Sequence, residues 1–84
     1  MGGLRRQKQR TVQGLAAVRA YCEQVFSAET GTAVVGGDYS NGVLTVNCSA
    51  AALVQELTQF HREALLTAVR AAVPETARLR IQPA

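Results

Sequence analysis

The sequence predicts a small α+β domain of order αββαβ, a three-stranded sheet with two helices packed on one face. Three observations carry this. Ser40-Asn41-Gly42 is a turn signal, and the strand-like run Val43–Cys48 follows it directly. Long segments on either side of that hairpin repeat apolar residues at helical spacing. Near the end, Leu79 and Ile81 alternate with Arg78, Arg80 and Gln82, the period of a half-buried strand. The 84 residues amount to one domain, and 48% hydrophobic content is ordinary for a globular chain. A chain this short buries only roughly 60% of its unfolded surface, so the core must be small.

Taken in order, residues 1–10 (MGGLRRQKQR) read as a flexible basic arm and residues 11–84 as a single folded domain. The first helix is expected over about 11–27, capped by Thr11. Its apolar stripe is Val12, Leu15, Val18, Cys22, Val25 and Phe26. A first strand covers about 32–39, where Gly36 and Gly37 mark a bulge or a close backbone approach. Asn41 and Gly42 tolerate the positive φ angles of a type I′ turn. In the second strand Leu44, Val46 and Cys48 share one face, while Val43, Thr45 and Asn47 share the other. Ser49 is the expected N-cap of a second helix over about 50–73. Leu53, Leu57, Phe60, Ala64, Leu65, Ala68 and Ala72 form its stripe, and Pro74 stops it. The third strand is expected over about 77–82. An antiparallel or mixed sheet with helices on one face leaves the other face wet, here with Thr45, Asn47, Arg78 and Arg80.

Little in the chain supports catalysis. His61 is the single histidine, and with two cysteines it supplies too few ligands for a structural zinc site. No nucleophile–histidine–acid set assembles, and no phosphate-binding glycine loop occurs. The expectation is a protein with no enzymatic activity, no metal and no cofactor. Cys22 and Cys48 are expected as buried thiols, a usage that fits a reducing cytoplasm. No apolar run reaches the ~18 residues of a membrane span. Arg19 interrupts the apolar stretch that a secretory signal would need after Gly14.

Charge is the stronger signal. Residues 1–19 hold Arg5, Arg6, Lys8, Arg10 and Arg19 with no acid, a local charge of +5 against −2 for the remainder. Such asymmetry points to an anionic partner. Arg5, Arg6, Lys8 and Arg10 are the first candidates for phosphate contacts, with Arg19, Arg78 and Arg80 behind them. A solvated tail and ordinary alternation on a wet strand are the plainer readings of the same residues. Phe26 and Phe60 read as core, while Tyr39 either stacks on a base or covers the core edge. Backbone binding with weak sequence preference follows. The polar side of the second helix, with Gln59, Arg62, Leu66 and Arg70, is a candidate surface for a protein partner.

The run Asn41-Gly42-Val43-Leu44-Thr45-Val46, then Ser49, then Leu53-Val54-Gln55-Glu56-Leu57, resembles the hallmark of the DciA-type loaders of the bacterial replicative helicase. That family shows a D-G-x-L-x-V turn and strand, a serine-containing link and a W-x-x-E-L helix start. Leu53 stands at the tryptophan position, and Tyr21–Ser27 stands where the family has W-x-x-V-V-G. Leu79–Gln82 is similar to its closing strand, so the resemblance spans about residues 12–82. It implies a KH-like domain that binds DNA, single-stranded or forked, and interacts with a DnaB-type hexameric helicase, with no enzymatic activity. RNA binding is the alternative that a KH-like fold brings with it. KH sites clamp the strand with a GXXG loop. No two glycines here stand three apart, so any contact must use another surface.

Overall fold

The structure, a computed structural model, describes residues 3–84, with side chains described from Lys8 onward. Its elements are α1 (Gly3–Val25), α2 (Ala28–Gly31), β1 (Val34–Ser40), β2 (Val43–Cys48), α3 (Ala51–Phe60), α4 (Arg62–Ala72) and β3 (Arg78–Pro83). The expected α+β class is the one observed, a three-stranded mixed sheet with helices packed against it, compatible with a small KH-like domain.

Two helix assignments change. The segment read as an arm is helical from Gly3. Leucine, arginine, glutamine and lysine are all good helix formers, and no glycine or proline interrupts residues 4–13. Thr11 therefore lies inside the helix instead of capping it, and its Oγ1 accepts the Tyr39 backbone N–H at 3.1 Å. The second long helix is really two, α3 and α4, broken at His61 with φ −125° and ψ 7°.

The sheet order is β1-β2-β3. β1 and β2 run antiparallel through the Asn41-Gly42 turn, whose φ angles of 53° and 78° are those a type I′ turn demands. β3 runs parallel to β2, with Val43 opposite Arg78 and Cys48 opposite Pro83. Parallel neighbours need a crossover, and α3 and α4 supply it. The register slips between Val34 and Gly36, which is the bulge. A Cβ at Gly37 would strike the Thr45 carbonyl oxygen, which is the close approach. The bulge falls at Val35, just ahead of the glycine pair, and the close approach falls at Gly37.

Alternation on β2 divides the sheet cleanly. Leu44, Val46 and Cys48 are fully buried beneath the helices, while Val43, Thr45 and Asn47 stay half-exposed on the far face. α1 lies along β1 and α4, and α3 covers β3. Leu15, Val18, Cys22, Leu57, Leu65 and Val69 bring the helices into the same core. Gly14 sits so close to Leu44 that a Cβ there would come within 2.9 Å of its side chain.

Four large residues read as core are outside it: Val12 is 66% exposed, Val25 47%, Phe26 38% and Phe60 71%; the stripe residues Ala64 and Ala72 are exposed too. The buried stripe of α1 is narrower than its composition suggests. Phe26 falls in the turn after α1, and Phe60 is the last residue of α3. Ser49 does not cap α3. The capping position is Ala50, with no side-chain bond, and the Ser49 N–H and hydroxyl both donate to the Ala33 carbonyl, at 2.8 and 3.4 Å. Leu66, read as an exposed anchor, is half-buried against the core. Among the described residues no helix is long and apolar enough to cross a membrane.

Candidate nucleic-acid interface

The start of α1, the hairpin turn and the loop before β3 meet at one end of the molecule. The Gly42 carbonyl accepts the N–H groups of Ala77 and Arg78, at 2.7 and 3.0 Å. Arg70 Nε donates to the Thr76 carbonyl at 2.8 Å, and its Nη2 reaches the Ala77 carbonyl at 3.4 Å. The Arg10 guanidinium lies 5.7 Å from the Tyr39 ring centroid, and its Nε pairs with Glu75 at 2.8 Å. This framework gathers Arg10, Arg70 and Arg78 from opposite ends of the sequence. Glu75 is the acid among them, and Arg10 already holds it.

The candidate cations differ in how free they are. Lys8, Arg78 and Arg80 are exposed. Arg10 is engaged as described. Arg19 is half-buried and donates from Nε to the Val34 carbonyl at 3.2 Å, which pins α1 to β1. Arg5 and Arg6 lie in the first turns of α1, and their side chains fall outside the described residues. Tyr39 is 3% exposed, so it covers the core edge and has no face to offer a base.

A second cluster forms along β3. Arg62, at the start of α4, and Arg80, on β3, line one cleft of about 110 Å³ together with Thr58, Leu79 and Ile81. No acid lines it. The sequence suggested Arg80 for nucleic acid and Arg62 for a protein partner. The parallel placement of β3 at the sheet edge, beneath α3, brings the two onto one surface. Arg78 stands two residues along the same strand, about 7 Å away. Of the other partner candidates, Gln59 is exposed on α3, Leu66 packs inward, and Arg70 is spent on the loop before β3. The convergence of Arg62 and Arg80 carries no sequence signal, because it depends on which way β3 runs.

The remaining reactive groups are structural. The Tyr21 hydroxyl and His61 Nδ1 are 2.7 Å apart, and the His61 ring stands edge-on to Tyr21 and Phe26. Burial pushes the Cys22 thiol up from its ordinary 9.0 to about 11, with Cys48 and Glu23 adding to the rise. Burial raises Cys48 as well. Both thiols are thus protonated and shielded at neutral pH, the opposite of a nucleophile's setting. Among the described residues no three histidine, cysteine or acidic side chains come together to hold a metal ion.

No protein-family model matches the chain, and neither does any curated protein or any solved structure.

Proposed function

We propose that the protein is a non-enzymatic DNA-binding module that grips the phosphate backbone with little regard for base sequence. The observation that carries this reading is the acid-free cleft shared by Arg62 and Arg80, with Arg78 beside it. Guanidinium groups bind phosphate oxygens in pairs, and exposed ones surrender little structure when they do. The basic end of α1 extends the track, with Lys8 exposed and Arg10 held by Glu75. The resemblance to the DciA-type loaders supports single-stranded or forked DNA as the polymer, a cytoplasmic setting and a DnaB-type hexameric helicase as the protein served. RNA is the competing polymer.

Fluorescence anisotropy with labelled single-stranded, duplex and forked DNA, and with single-stranded RNA, tests this across a salt series. Affinity should fall steeply with salt. Each phosphate contact on a single strand contributes about 0.7 to the slope of log K against log salt, so the Arg62→Gln/Arg80→Gln double variant should flatten it by about 1.4. An unchanged slope would remove the cleft from the mechanism. No binding at low salt would remove the function.

A further inference from the structure

The end of the molecule opposite the basic one carries a different surface. A groove of about 370 Å³ lies between α2 and the start of α3, with Phe26, Ala33, Ala52 and Leu53 forming its apolar part and Glu29 and Glu56 its rim. Exposed Val25 adjoins Phe26, and exposed Phe60 follows one turn after Glu56. Exposed apolar surface gathered in this way, with a polar rim, marks a binding surface. Its rim carries two carboxylates, Glu29 and Glu56. The uncapped N-terminus of α3 contributes about half a positive charge. Glu29 and Glu56 outweigh it, and the Glu23 side chain lies against Gly31 beside them. The complementary surface would be an apolar residue on a cationic helix.

The chain itself presents such a surface. On α1, Lys8 and Val12 stand one turn apart, both exposed, with Val12 a bare apolar residue followed one turn on by exposed Ala16. Lys8 and Phe26 are 18 residues apart on and just past the same helix, about 27 Å, so one copy cannot close on itself. We infer that the acidic-rimmed groove of one copy takes the Lys8–Val12 face of a second, head to tail. Val12 enters the apolar part between Phe26 and Leu53, and Lys8 meets the Glu29–Glu56 rim. The two surfaces differ, so the contact is heterologous and builds head-to-tail assemblies, rings or open chains, that grow with concentration.

Sedimentation velocity of the full chain, without nucleic acid, tests the inference over a concentration series at low and high salt. The weight-average mass should climb with concentration at low salt and fall back to monomer at high salt. Glu29→Lys/Glu56→Lys and, separately, Lys8→Glu should each weaken association at least about tenfold, since like charges then face each other. Mixing the two variants should restore it, because each then carries the partner surface of the other. Val12→Gln should weaken association with its salt dependence intact. All four positions are exposed, and circular dichroism checks that each variant is folded. A wild-type chain that stays monomeric throughout overturns the inference and leaves the groove to a different occupant. Association that survives both charge reversals, or no rescue on mixing, overturns it equally. With no nucleic acid present, these outcomes leave the proposed DNA binding untouched.

Discussion

At Gly36 an added Cβ would meet nothing within 4 Å, whereas at Gly37 it would strike the Thr45 carbonyl oxygen and come within 2.9 Å of Leu15. Neither glycine has a positive φ. Gly36→Ala should therefore be neutral, or should stabilise by up to about 1 kcal/mol through the unfolded chain. Gly37→Ala should destabilise by about 2 kcal/mol or more, because the β1–β2 ladder would have to shift. Urea midpoints at constant m-value measure both. Equal effects would mean that close approach at Gly37 does not shape the hairpin. The glycine pair was legible as a signal, but the division of roles was not, since it follows from a register slip that composition does not reveal. Phe26 and Phe60 teach the converse. Their type says core, but each stands at the end of a helix, Phe60 as the last residue of α3 and Phe26 in the turn after α1, and position overrode type.

The break between α3 and α4 is the element that periodicity misreads. One apolar stripe runs through residues 53–72, with no proline or glycine to interrupt it. A continuous helix would carry Leu65 about 80° away from Leu57 around its axis, which is 800° of rotation over eight residues. Both are fully buried, one on each half. Tertiary contacts at His61 hold the break: the bond to the Tyr21 hydroxyl and the edge-on rings of Tyr21 and Phe26. Tyr21→Phe keeps the ring and removes the bond, so it should destabilise by about 1 kcal/mol. It should also speed amide exchange at residues 61–64 more than elsewhere. A uniform change in exchange, or none, would show that the break stands without this bond. By contrast, β2 was legible to the residue and β3 to within one, because strand alternation next to a strong turn leaves little freedom.

Over the whole molecule, the charge asymmetry of the sequence became a spatial one. The ties to the Gly42 carbonyl hold the start of β3, with Arg78, at the end where Arg10 meets Glu75, while Arg62 follows His61, whose ring packs on Tyr21 and Phe26 toward the far end of α1. The arm reading had the charge right and the backbone wrong. Arg10 sits on a helix fixed to the fold instead of a tether, and its tie to Glu75 sets it beside the loop that leads into β3. Glu75 tests that idea, because it is the acid that Arg10 holds at this end. The pair is partly exposed on both sides, so breaking it should change stability by only about 0.5 kcal/mol. Glu75→Gln should nonetheless strengthen DNA binding and steepen the salt slope by about 0.7, the contribution of one more phosphate contact on a single strand. The rigid placement of α1 makes this specific: a tethered arm would reach phosphates whether or not Glu75 were present. If affinity and slope stay unchanged while the fold is intact, the track ends at Arg78, and the α1 end of the molecule lies outside the DNA path.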